Sequence, residues 1–169
     1  MIEQLLDGAD RVVAGAAHCW LMTESPRGRV HARPMSRVGP SPGQADWMIS
    51  FLADSRSRKV QDLQAAADAR LIFELEERAF VNLAGPAHLI ADAASIERRW
   101  RAAYDAHFPT DADRVHAVFI DVRAEEMRLW IRGLTPEPFG LRSVTLHRDF
   151  HGGWQLRGDR GANGETAPD

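Results

Sequence analysis

From residue 11 to residue 158 the chain repeats one pattern: short runs rich in β-branched and aromatic residues, cut by turn signals, with almost no strand–helix alternation. Parallel sheets need long helical crossovers between strands, and this spacing has little room for them. Many short strands within one domain of 169 residues favour an antiparallel sheet closed, or partly closed, on itself. The first run spans 11–25 (RVVAGAAHCWLMTES), and the turn PRG leads to a second over 29–38 (RVHARPMSRV). The loop GPSPG (39–43) precedes a third at 46–54 (DWMISFLAD). ARLIFELEE and AFVNLAGPAHLIAD form a hairpin turning near Glu77-Arg78, and HAVFIDVRAEEMRLWIR holds two strands with a break near Ala124. SVTLHRD and GWQLRG read as a terminal hairpin around Phe150–Gly153. Six to eight strands result.

Helical spacing is confined to short pieces. Residues 2–9 place Ile2, Leu5 and Leu6 on one side, with Gly8 read as a stop. Residues 57–67 place Val60, Leu63 and Ala67 on one face, and Asp92 can cap a helix carrying Ile96, Trp100 and Ala103. No boundary divides residues 1–158, so one domain is expected, followed by a disordered tail over 159–169. The RGD at 157–159 carries no weight.

Charge and composition exclude several function classes. A net charge of −3 gives no general attraction to nucleic acid or to an anionic membrane. One cysteine, Cys19, leaves no intrachain disulfide and fits a reducing compartment; it sits in an apolar run, as a buried small hydrophobe would. The first ten residues lack the basic start of a signal peptide, and Val12–Met22 is too short to span a bilayer, so a cytoplasmic protein is expected. Glycine-rich dinucleotide and phosphate loops, a nucleophile elbow and a zinc-binding HExxH are all missing. The seven histidines are scattered, with His147 and His151 flanking a turn, so no metal is expected. Adjacent pairs Glu76-Glu77 and Glu125-Glu126 would point to opposite faces of a strand.

One cluster resists a bland account. Arg33 lies inside a strand, where an inward charge needs a partner, and Pro34 beside it marks an edge or a bulge. Ser57 stands at a helix start, where free amides and the helix dipole favour an anion. Arg58 and Lys59 follow in the first turn, the wrong end of a helix for cations. Local helix physics leaves two readings open: a socket for a dianion such as a phosphate monoester, or a capped helix with a solvated basic face.

The ordered segments ARPMSRV, WMISFLADSRSRKVQDLQAAADARLIFE, FVNLAGPAHLIADAASIERRW, HFP and VFIDVRAEEMRLW resemble the pyridoxamine 5′-phosphate oxidase-like flavin-binding split barrels, in their general stress protein branch. The resemblance covers about residues 10 to 130. It implies a mainly β antiparallel split barrel, a homodimer, and one flavin mononucleotide (FMN) in each interface cleft. Flavin adenine dinucleotide (FAD) or a deazaflavin would be substitutes. By the same resemblance Arg33, Ser57, Arg58 and Lys59 hold the flavin phosphate, while Ser50, Phe51, Leu52 and Ala53 run beside the isoalloxazine with Pro34 and Met35 near it. Trp130 matches a position near the cofactor across the dimer. Relatives commonly carry Thr where this chain has Ala53, and the flavin-binding glutamine of the true oxidases aligns near Phe80. The oxidases' C-terminal substrate-binding arginine and histidine have no counterpart in FGLRSVTLHRDFHGGWQL. The implied function is therefore a flavin-dependent oxidoreductase other than a pyridoxamine phosphate oxidase, with no side chain marked as an acid or base. The alternatives are a non-catalytic flavin carrier or stress sensor, and a barrel that binds another phosphorylated ligand.

Overall fold

A computed structural model describes residues 1–40 and 42–157; the expected tail over 159–169 lies outside the described residues. Nine strands form in chain order: β1 (Cys19–Glu24), β2 (Val30–Met35), β3 (Met48–Asp54), β4 (Asp68–Leu75), β5 (Ala79–Ile90), β6 (Ala117–Arg123), β7 (Glu126–Ile131), β8 (Val144–Arg148) and β9 (Trp154–Leu156). Four α-helices accompany them: α1 (Ile2–Gly15), α2 (Arg58–Ala65), α3 (Ala93–Arg99) and α4 (Asp111–Arg114). Every strand pair is antiparallel.

The twelve-residue strand β5 makes the barrel split. Its first half, Ala79–Ala84, pairs with β7; its last four residues pair with β6 instead. The ring then runs β5–β6–β3, crosses back through a bridge between Val38 and Ser50 to the segment after β2, and returns through β1 and β4. β7, β8 and β9 extend the sheet outside that ring. The exchange of partners happens at Gly85. A Cβ there would run into the Arg123 carbonyl oxygen, and Glu125 N–H donates to Ala84 O at 2.9 Å, so two backbones meet where only a hydrogen fits.

Period-two alternation fills the interior. β1 buries Cys19, Leu21 and Thr23, β4 buries Ala69, Leu71 and Phe73, and β3 buries Ile49, Phe51 and Ala53. The fold is the mainly β antiparallel split barrel that the resemblance implied.

The entrance to the barrel departs from expectation. Residues 11–15 continue α1 rather than opening a strand, and Gly8 lies buried within the helix. A Cβ at Gly8 would stand 2.6 Å from Leu134 Cδ1, so the glycine permits close packing rather than stopping the helix. Leu5, Ala9, Val12 and Val13 recur at helical spacing and cap the core, which outweighs the strand preference of the Val12-Val13 pair. The helix after Asp92 is shorter than expected: it ends at Arg99, Trp100 is its extended C-cap and Ala103 lies in a separate 3-10 turn (Ala102–Ala106). Nine strands form among the described residues where six to eight were expected. Asp92 caps α3 by accepting from Ser95 N–H at 2.9 Å, and the terminal hairpin is β8–β9. No helix among the described residues is long and apolar enough to cross a membrane.

Candidate functional site

Alternation along β2 sets the site. His31, Arg33 and Met35 share the face toward β1 and α2, while Val30, Ala32 and Pro34 turn outward. Arg33 is opposite Leu21 in register, and its Nη1 donates to Thr23 Oγ1 at 2.7 Å and to Leu21 O at 3.3 Å. The Thr23 hydroxyl donates onward to Asp62 Oδ2 at 2.8 Å. That carboxylate, buried on α2, also meets His31 Nδ1 at 3.0 Å and Arg33 Nη2 at 3.7 Å. Burial pushes the Asp62 carboxyl up, but the hydrogen bonds from His31 and Thr23 together outweigh it, and its pKa ends below the usual range. Asp62 thus anchors Arg33, directly through Nη2 and through Thr23 at Nη1. Sequence reading missed this anchor. Period two offered a signal for His31, which must share the Arg33 face; no local signal pairs Thr23 with a residue 39 positions away.

At the start of α2 the polar groups are left incomplete. Ser57 is the N-cap residue, yet its hydroxyl caps nothing. Ser57 Oγ is buried without a hydrogen-bond partner among the described residues. A buried hydroxyl left this way costs about 1–3 kcal/mol. Lys59 is half-buried, and no carboxylate lies within ion-pair distance of it among the described residues. Desolvation lowers its pKa, and the nearby Arg33 charge lowers it further. Arg33 is lowered likewise, by burial first and then by Arg58 against the pull of Asp62. Three cations and an orphaned hydroxyl therefore converge on the first turn of an eight-residue helix, whose leading amides also lack intrahelical partners.

Beside this turn opens a cleft of about 520 Å³ lined by Pro34, Met35, Leu52, Ala53, Lys59 and, across from them, Tyr104 and Phe108. Five of the expected site residues meet there. Phe108 is buried against Trp100 (ring centroids 5.9 Å apart) and also walls the cleft. Two residues on β3 do not reach the cleft with their side chains. Phe51 is fully buried in the core, and the Ser50 hydroxyl donates to Asp121 Oδ1 at 2.7 Å. Trp130 faces the outer side of the sheet opposite Phe80, away from this cleft within one chain. No group of three potential metal ligands occurs among the described residues.

Comparison with known proteins agrees with this architecture. The family model described as pyridoxamine 5′-phosphate oxidase like matches residues 7–135. A Clostridium acetobutylicum protein related to general stress protein 26 superposes with a TM-score of 0.70 at 18% identity, covering 86% of this chain and 95% of its own. A pyridoxamine 5′-phosphate oxidase-related, FMN-binding protein from Nostoc punctiforme gives 0.68 at 17% identity, covering 92% and 94%. An F420 reductase gives 0.53 at 13% identity, covering 70% and 94%. At these identities the solved structures share the fold. No curated protein matches the sequence significantly.

Proposed function

The chain belongs to the pyridoxamine 5′-phosphate oxidase-like family, and from that premise we propose that it binds a phosphorylated flavin-type cofactor such as FMN and acts as a flavin-dependent oxidoreductase. The observation that carries the reading is the Ser57 hydroxyl, buried without a partner among the described residues at the cap of α2, in the same turn as Lys59, whose pKa the Arg33 charge lowers. A phosphate there would accept from Ser57, neutralise cations that otherwise repel one another, and take the first-turn amides of α2. Arg33 would bind it with a fork held in place by Thr23 and Asp62. The cleft beyond Lys59 suits a planar ring: Met35, Leu52 and Ala53 offer apolar contact on one side and Phe108 on the other. A bound flavin supplies hydride or electron transfer at its ring. This chain's part is to bind and orient it and keep water from one face, which needs no side-chain acid or base.

The cleft is open on one side, and a second copy of the chain would close it. Support for a homodimer comes from the outer sheet face. Trp20 is 52% exposed there, with Ile72 and then Asn82 beside it across the strands, and Phe80 and Trp130 pair one step along. Asn82 Oδ1 and His147 Nδ1 lie buried on the same sheet without partners among the described residues.

The test begins with colour. Protein that co-purifies with a flavin, or takes up FMN on titration, is expected. A protein that stays colourless and binds no flavin overturns the reading. Ser57→Ala should weaken FMN binding while leaving folding intact. Reduction by nicotinamide donors faster than that of free flavin supports catalysis; equal rates with every donor and acceptor leave a flavin carrier instead. Light scattering at twice the chain mass supports the dimer, and a flavin-loaded monomer argues against it.

A further inference from the structure

A second cleft, about 330 Å³, lies on the far side of the α2 N-terminus and is lined by Arg27, Arg29, His31, Arg58 and Asp62 with the Ser25-Pro26 turn. Its walls come from two places. The β1–β2 turn supplies Arg27 and Arg29, held by Gly28 N–H donating to Ser25 O at 2.8 Å with Gly28 at φ 73°. The first helical residue, Arg58, supplies the third guanidinium. None of these three arginines forms an ion pair among the described residues. The carboxylate in the cleft, Asp62, is already engaged by Thr23, His31 and Arg33. Glu24 leans toward Gly28, close enough to sit 3.7 Å from a Cβ placed there, and pairs with neither turn arginine. A local surplus of positive charge in a protein of net charge −3 is thus left facing one cavity.

The position of that cavity relative to the first is informative. Met35, Arg33 and His31 are alternate residues of β2, each step advancing about 6.7 Å, and Arg29 lies just before the strand at the end of the β1–β2 turn. Met35 lines the ring cleft, Arg33 faces the Ser57 socket, and His31 and Arg29 line the basic cleft. The helix start repeats the order: Lys59 lines the first cleft and Arg58 the second, with Ser57 beside them at the cap. Ring cleft, Ser57 and basic cleft therefore follow one another in order along β2 and the start of α2. A cofactor that ends in a phosphate monoester fills only the first two.

We infer that the Arg27–Arg29–Arg58 cleft is an anion subsite for a cofactor that continues past its phosphate into further negative charge, a phosphodiester rather than a terminal phosphate. This rests on the flavin reading of the Ser57 socket and specifies which cofactor that socket serves. Two sources share the chemistry: the second phosphate of a dinucleotide such as FAD, and the carboxylates of a deazaflavin phosphodiester such as coenzyme F420. An arginine fork suits both.

The experiment titrates protein stripped of any bound cofactor with FMN, FAD and F420, following tryptophan quenching, for the wild type and for R27A/R29A. Both arginines are exposed on a turn, so the variant should fold, and its thermal midpoint verifies that. The wild type is expected to bind FAD or F420 at least tenfold more tightly than FMN, with a steeper loss in salt. R27A/R29A should abolish that preference and change FMN affinity less than twofold. Tighter FAD assigns the diphosphate, and tighter F420 assigns the carboxylate tail. The proposal is overturned if FMN binds as tightly as both, or if the double variant keeps the preference. Failure of all three to bind sinks the flavin reading itself, and this subsite with it.

Discussion

Strand β3 carries a polar cluster at each end, and the two are built oppositely. Near its start, Ser50 donates to Asp121, and Asp121 receives both Arg99 terminal nitrogens at 2.8 Å. The Arg99 guanidinium carbon lies over Phe119, 4.0 Å from the ring centroid. Every strong group there has a partner supplied by the chain. Just past the strand's end, Ser57 has none among the described residues, Lys59 is lowered by burial and by the Arg33 charge, and Arg33 by burial and by Arg58. The first cluster is finished by folding, whereas the second is finished only by something negatively charged. Closed clusters stabilise; open ones bind. Four substitutions test how far that division holds.

The largest effect is expected at Asp62, the one point where the open cluster is anchored to the fold. Asp62→Ala leaves Thr23, His31 and Arg33 without their shared acceptor, and should cost about 3 kcal/mol in urea unfolding, at the low end for a broken buried pair because Arg33 and His31 are partly solvated. The pH dependence has a definite direction. A carboxyl lowered in the native state stabilises fully above its unfolded pKa of about 3.9 and loses that contribution as pH falls through the lower native value. The variant's stability should therefore fall less steeply in acid than the wild type's; an equal slope would mean Asp62 is not the anchor. Next comes Lys59→Met, which keeps the aliphatic stem. FMN affinity should drop about thirtyfold, equivalent to about 2 kcal/mol for a lost charged hydrogen bond. Stability without cofactor should hold or rise, because a desolvated cation beside Arg33 has been removed. A fall in both would place Lys59 with the closed clusters.

The two ends of β3 were not equally legible in the sequence. Ser57, Arg58 and Lys59 are consecutive, and cations at the wrong helix end are a local conflict that one stretch of sequence displays. Arg33 was legible as a charge inside a strand beside Pro34. Asp62 was not, because α2 reads as amphipathic through Val60 and Leu63, and a charged residue between them looks solvated until Thr23 is brought over it. Ser50 and Phe51 were placed beside the ring as neighbours in sequence, yet alternation sends Phe51 into the core and Ser50 toward Asp121. The fold showed the same pattern. Strand runs and turns were readable because period two and turn chemistry are local, whereas Gly8 inside α1 is explained by Leu134, 126 positions on, and Gly85 by the Arg123 carbonyl. Arg27 read as part of a turn and Arg29 as the start of a strand run, because their common cleft with Arg58 exists only once β2 lies beside α2.

Asp121→Asn probes the closed end. Losing the charge opposite Arg99 should cost about 1–2 kcal/mol, since the pair is bidentate and mostly shielded. FMN affinity should stay within twofold. A larger loss would show that the Asp121 charge had belonged to the cofactor site after all, and the contrast between the ends of β3 would fail.

The smallest effect is expected at Asp54, which stands between the clusters and belongs to the closed kind by its contacts. Its carboxylate accepts from Arg56 Nη2 at 2.6 Å, Arg56 Nε at 3.0 Å and the Arg56 backbone N–H at 2.8 Å. Those bonds, the Arg56 side chain first, bring its pKa down to about 2. Arg56 is largely exposed, so water screens most of that interaction. Asp54→Asn should lower Tm by about 2 °C at most at neutral pH. Because the native carboxyl is the more acidic, its contribution is complete above an unfolded pKa of about 3.9. It fades as pH falls toward about 2, where variant and wild type should converge. Asp54 also lines the ring cleft, beside Lys59. If removing its negative charge tightens FMN binding, then Asp54 opposes the bound phosphate and the turn between strand and helix acts on the ligand. An unchanged affinity keeps it a structural pair whose task is to hold the turn that aims Ser57.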